Sequence, residues 1–254
     1  MARTRIKRGR AGREHSARGK SGGIRLYGRH AVEAALDNPD RKCRKLWVTG
    51  EIKQAYHLPE GLPVETGDGA ALARMVPGDA PHQGLVLEVD PLPHVHLDTL
   101  WTLTDEKRPI LLLDQVTDPH NVGAIIRSAA AFGAAGIVTQ DRHSPPESGA
   151  LAKAASGALE RLPWVRVTNL SRALEEIGEA GYWRIGLDGT GPMTLGEAQR
   201  DMPPCLVLGA EGDGLRPNVA AHCDVIARLP ITAAVESLNV SNAAAVALYE
   251  VGRK

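Results

Sequence analysis

The sequence has few cysteines and few aromatic residues: three cysteines and 4% Phe, Trp and Tyr in 254 residues. Cys43, Cys205 and Cys223 are odd in number and widely scattered, with no CxxC pair. That spacing excludes a disulfide framework and implies reduced thiols. A zinc site on Cys205, His222 and Cys223 lacks the closely paired ligands and the fourth partner that such sites use. No uncharged run approaches the ~20 residues that cross a bilayer, so no membrane role is expected, and the reduced thiols lead to the expectation of a cytoplasmic location. Net charge is missing as well, with 30 Lys and Arg against 30 Asp and Glu.

That balance hides an uneven distribution. Residues 1–22 carry eight basic residues (Arg3, Arg5, Lys7, Arg8, Arg10, Arg13, Arg18, Lys20) against Glu14 alone, a charge of +7. So charged and so poor in apolar residues, the segment is expected to be a disordered basic tail. Three uses are open to it: an arm for a phosphate backbone, a solvated tail, or an Arg-rich transit peptide.

After the tail, residues 23–91 read as a small α/β unit. A helical pattern over Gly28 to Leu36 is followed by strands at Lys45 to Thr49, Pro63 to Glu65 and Gly84 to Val89, with an Ala-rich helix at Ala70 to Met75. Pro91 and Pro93 open a linker over 92–107. From 108 to 254 the elements are longer. Ile110 to Leu113 is apolar throughout, as a strand covered on both faces should be. Further strands at Gly136 to Thr139, Trp164 to Val167, Trp183 to Leu187, Cys205 to Leu208 and Asp224 to Leu229 alternate with helices at 121–132, 147–155, 170–179 and 238–252. The class is therefore α/β, a sheet with helices on both faces.

Three polar clusters follow strand ends. In the first, Asp114 to Gly123, a stripe of Val122, Ile125, Ile126 and Ala129 opens a helix that turns Arg127 away from its own core. Asn121 falls where an N-cap belongs. Asp114, Asp118 and His120 do not complete a metal shell, so no metal is expected. The second cluster, Leu208-Gly209-Ala210-Glu211-Gly212-Asp213-Gly214, lets backbone amides approach a ligand but lacks the dinucleotide fingerprint. The third joins Leu229-Pro230-Ile231 to Ser237-Leu238-Asn239-Val240-Ser241 ahead of an amphipathic C-terminal helix. Ser237, Asn239 and Ser241 are three candidate caps where one helix end needs only one. A serine hydrolase is excluded, since SxxK, KTG and GxSxG are all missing.

Taken in order, the clusters resemble the three signature motifs of the SpoU family, the ribose 2′-O-methyltransferase branch of the SPOUT superfamily. The matching runs are Asp114-x-Val-x-Asp-Pro-x-Asn-x-Gly-x-Ile-x-Arg127, Leu-Gly-x-Glu211-x-x-Gly-Leu, and Leu229-Pro230-Ile231 with Ser237-Leu-Asn-Val-Ser241. Tyr27-Gly-Arg-His-Ala-Val32, His82-Gln-Gly84 and Lys153-Ala-Ala-Ser-Gly-Ala-Leu-Glu160 further resemble the members that methylate a guanosine of 23S rRNA. Leu229 in place of Ile and Ala234 in place of a common Gly are mild departures.

The resemblance implies a C-terminal trefoil-knotted methyltransferase domain behind a small L30e-like RNA-binding domain, working as a homodimer on RNA with S-adenosyl-L-methionine as methyl donor. It places the catalytic group on Asn121, Arg127, Glu211, Ser237 and Asn239. The cofactor loops fall on Leu208, Gly209, Ala210, Glu211, Gly212, Leu229, Ile231 and Leu238. Arg127 is then either a base of strongly depressed pKa or a phosphate clamp. A tRNA target and a non-catalytic RNA-binding or ribosome-assembly protein are the alternatives.

Overall fold

A computed structural model describes residues 23–55, 58–78, 80–102, 106–210, 212–232 and 234–253. The basic tail and Glu211 lie outside the described residues. The first part of the chain runs β1 (Ile24–Tyr27), α1 (Arg29–Asp37), β2 (Cys43–Val48), α2 (Gly50–Ala55), β3 (Val64–Thr66), α3 (Gly69–Ala73) and β4 (Leu85–Val89). Its strands form a mixed sheet in the order β1-β4-β2-β3. The two helices and three strands read from the sequence are present, and β1 and α2 are additions.

After the short α4 (Thr99–Thr102) the chain continues through β5 (Ile110–Leu113), α5 (Pro119–Ala131), β6 (Gly136–Gln140), α6 (Gly149–Ala155) and a 3₁₀ turn (Ala158–Glu160) to β7 (Trp164–Val167). It then forms α7 (Leu170–Glu179), β8 (Trp183–Leu187), β9 (Met193–Thr194), α8 (Leu195–Ala198), β10 (Pro204–Leu208), α9 (Pro217–Ala220), β11 (Val225–Arg228) and α10 (Val240–Gly252). Seven strands make one sheet, β7-β6-β5-β10-β8-β11-β9, and every pairing in it is parallel.

The all-apolar reading of β5 is explained by its two sides. Leu111 and Leu113 pack with α5, α6 and α10 residues such as Ile125, Leu151 and Leu248, whereas Ile110 and Leu112 pack with Leu174 and Ile177 of α7. Helices thus cover both faces, as a parallel sheet requires. At the end of α5, Gly133 takes φ +70°, and the Ala134 amide reaches back to the Ala129 carbonyl at 2.9 Å, a Schellman closure.

The two sheets share one core, because α6 lies between them. Gly149 passes so close to β1 that a Cβ there would sit 2.2 Å from the Arg25 carbonyl oxygen. A buried ion cluster fixes the same seam. Arg41 reaches Glu147 at 2.5 Å and Glu160 at 2.6 Å, and Asn38 donates to Glu160 at 2.8 Å. The stretch between the sheets is packed: Val95 bridges to Val165, and Leu97 and Leu100 are buried. Among the described residues, no helix is long and apolar enough to cross a membrane.

Candidate active site

Because all seven strands run the same way, the loops after β5, β8, β10 and β11 leave the sheet at one edge. From β5 the chain moves outward through β6 to β7, then returns to build the other half from β8. The strand order therefore reverses at β5/β10, and the crevice at such a point is where open α/β sheets hold ligands. All three polar clusters sit at this edge.

The first cluster corrects one sequence expectation. The N-cap of α5 is Asp118, whose Oδ1 accepts from the His120 amide at 2.9 Å, with Pro119 in the first helical turn. Pro suits that position because its missing N–H would be unpaired there anyway. Asn121 is therefore inside the first turn, and its Oδ1 accepts instead from Asn239 Nδ2 at 3.0 Å. Val122, Ile125, Ile126 and Ala129 are buried, and Arg127 is exposed on the other side of the helix. Six residues separate Arg127 from Asn121, about 9 Å of helical rise, so Arg127 stands outside the cluster at its own sheet edge.

In the second cluster the turn closes tightly on itself. The Gly214 amide donates to the Ala210 carbonyl at 3.1 Å, and Gly212 and Gly214 take φ +88° and +65°. A Cβ on Gly209 would lie 2.1 Å from the Gly214 carbonyl, so only glycine fits there. Arg216 then folds back on Asp114, its backbone amide donating to Oδ2 at 3.0 Å and its Nε to Oδ1 at 2.7 Å. Asp114 is fully buried, and this pairing is what makes a charge there tolerable. Arg216 Nη2 also reaches Gln140 at 3.1 Å. In the sequence Asp114 opens the first motif and is discarded as a metal ligand; its partner in the fold is 102 residues away.

The third cluster resolves the choice of cap. Asn239 Oδ1 accepts from the Ser241 amide at 2.9 Å and the Ser241 hydroxyl at 2.6 Å, making Asn239 the N-cap of α10. Ser237 is exposed, Leu229 and Leu238 are half-buried, and Ile231 is 40% exposed. The loop after β8 carries no motif but lies between the ends of β10 and β11. There Asp188 accepts from the Thr190 hydroxyl at 2.6 Å and its amide at 2.8 Å, and these bonds hold the carboxyl below its usual range. Among the described residues, no group of three or more His, Cys, Asp or Glu is placed to hold a metal.

Residues 108–249 match the model of the SpoU rRNA Methylase family, and residues 25–95 match that of the RNA 2′-O ribose methyltransferase substrate binding domain. The chain belongs to the SpoU family. A Bacillus subtilis relative, YacO, named for the TrmH family of tRNA/rRNA methyltransferases, is 39% identical over 90% of this chain and 95% of its own length. The 23S rRNA (guanosine-2′-O-)-methyltransferase RlmB of Pseudomonas aeruginosa is 38% identical over 91% and 96%. Among solved structures, the SpoU methyltransferase AviRb of Streptomyces viridochromogenes in complex with AdoMet superimposes with a TM-score of 0.75 at 26% identity, over 91% of this chain and 90% of that one.

For this SpoU methylase, the fold brings Asn121, the Gly209 turn, Leu229 to Ile231 and Asn239 to one edge. Arg127 faces outward from α5.

Proposed function

We propose that the protein transfers the methyl group of S-adenosyl-L-methionine to a ribose 2′-hydroxyl in structured RNA, with a guanosine of 23S rRNA as the target. The observation that carries the reading is the Asn121–Asn239 hydrogen bond, which joins the first and third motifs at the edge where the second motif's glycine turn also lies. In this reading residues 23–91 bind RNA as an L30e-like unit, 92–107 connect, and 108–254 catalyse, working in the cytoplasm. The trefoil knot belongs to the same proposal and is supported by α10 packing on both α5 and β10.

The loops suit a sulfonium nucleoside. Gly209, Ala210 and Gly212 offer backbone groups where side chains are minimal, and Ile231 of the third cluster leaves apolar surface uncovered. Leu229, Ile231 and Leu238 would hold the adenosyl part, and Gly209 and Ala210 would meet its polar edges. When bound, the cofactor supplies an electrophilic methyl group. The protein's part is to align the hydroxyl, exclude water and give the proton a path. A guanidinium keeps its proton in proteins, so Arg127 is assigned the phosphate-clamp role, and the matched Asn121, Ser237, Asn239 and Glu211 are assigned to the cluster that it completes across a dimer.

Arg127 points off its own core, and a homodimer supplies the surface it meets. Phe132 and Tyr249 are 43% and 56% exposed, with ring centroids 6.2 Å apart, and Val246 beside them is also exposed. An apolar patch of this kind on α5 and α10 favours an isologous interface. The test is methyl transfer from labelled S-adenosylmethionine to unmodified 23S rRNA and tRNA transcripts, followed by mapping of the modified ribose. Label on a 23S guanosine is expected. Label on tRNA alone moves the substrate, and no cofactor binding in calorimetry removes the reading.

A further inference from the structure

One groove at the domain seam is unused by the mechanism apart from Arg127 on its wall. It has a volume of about 570 Å³ and lies between α1 and the far half of α5, on a floor of residues 155–158. That floor is part of the Lys153-to-Glu160 segment noted in the sequence. It closes on α1 through Gly157 at φ +87°, where a Cβ would stand 3.0 Å from Ala34 Cβ and 3.1 Å from the His30 carbonyl oxygen.

Three guanidinium groups line the groove, those of Arg108, Arg127 and Arg161. Arg127 and Arg161 are exposed, and Arg108 keeps a buried Nε that meets no hydrogen-bond acceptor among the described residues. Of the two acids on its wall, Glu33 is already paired with Arg29 at 3.0 Å, which leaves Asp37 against three positive charges. A row of planar forks suits a polymer with one negative charge per repeat. One wall of the groove belongs to the unit that matches the substrate-binding model, and Arg127 of the first motif stands at the other.

We propose that this groove carries the RNA phosphate backbone from the small unit to Arg127, with Arg161 and Arg108 as positioning residues. The inference rests on the RNA methyltransferase reading above. Its mechanism is electrostatic: each phosphate contact releases condensed counterions, so affinity must depend on salt through these side chains.

The experiment uses the full chain and whichever unmodified transcript, 23S rRNA or tRNA, accepts the methyl group. RNA affinity is measured from roughly 50 to 200 mM salt for the wild type, Arg161→Gln and Arg172→Gln, the last on the exposed side of α7. Arg161→Gln is expected to keep its melting temperature, to weaken binding about three- to tenfold and to flatten the log–log salt slope by about 0.7–0.9, the loss of one phosphate contact. Arg172→Gln is expected to match the wild type. A wild-type protein that methylates neither transcript overturns the functional reading and the groove with it. If the wild type methylates RNA but Arg161→Gln keeps the wild-type slope, the groove alone is overturned. Polyglutamate binding that depends on Arg161, beside an RNA affinity that does not, overturns it in favour of an acidic protein segment.

Discussion

Asn239 donates from Nδ2 to Asn121 Oδ1 at 3.0 Å while its own Oδ1 accepts from Ser241, so one side chain both caps α10 and ties it to α5 across 118 residues. The two duties can be separated. Asn239→Asp keeps the acceptor, and a negative charge suits a helix N-terminus, so stability should stay within about 1 kcal/mol of wild type. It loses the donor to Asn121, and methyl transfer should fall about tenfold or more through misplaced groups. Asn239→Ala should lose both the cap and the link. Urea unfolding beside a transfer assay checks this, and an Asp variant with full activity would make the link purely structural.

The seam between the sheets offers a larger effect. The Arg41 side chain is 0% exposed and Glu160 2%, and the pair is completed by Glu147 and Asn38. Burial works against the charge on Arg41, but the bonds to Glu160 and Glu147 outweigh it and raise its pKa. Arg41→Met would leave two carboxylates buried without their cation, at a cost of about 3–5 kcal/mol. Chemical denaturation should show that loss. Adding Glu160→Gln should recover part of it, since neighbours sharing one network are not additive.

Much of the architecture is written locally. The Ile110–Leu113 run identified a strand covered on both faces, and the spacing over 170–179 gave α7 at its observed ends. The short elements carried no such signal: α2, α4, α8 and α9 span four to six residues, too few for a helical period to register. At the site, the residue types were legible but their partners were not. Asn121 was read as a cap because it stands near a helix start; Asp118 occupies that place, which frees Asn121 for a contact made by the fold alone. Asp114 with Arg216 and Arg41 with Glu160 are pairs more than 100 residues apart, beyond any local pattern.

The Asp188 turn predicts a pH dependence. The Thr190 hydroxyl and amide hold the carboxylate below its usual range. A depressed carboxylate stabilises the fold above its unfolded pKa, near 3.9, and that contribution disappears as pH falls through the lower folded value. Thr190→Ala removes the hydroxyl bond. The variant should be less stable than wild type at neutral pH, and the gap should close as pH drops below about 4. Melting temperatures measured across that range decide it; a gap constant with pH would place the effect elsewhere.

Arg127 is the sharpest test of the composite site. It is exposed, so Arg127→Lys should change stability by no more than about 0.5 kcal/mol and leave cofactor affinity intact. Lysine keeps the charge but loses the planar fork, and methyl transfer should fall at least ~100-fold. Where the arginine acts can then be asked by mixing. If it serves the partner's loops, co-expressing Arg127→Lys with Asn239→Asp gives mixed dimers in which one site collects both defects and the other none. Random pairing makes half the dimers mixed, so activity should return to about a quarter of wild type. If Arg127 serves its own protomer's loops, every site keeps one defect, and activity stays at or below that of the Asn239→Asp protein alone.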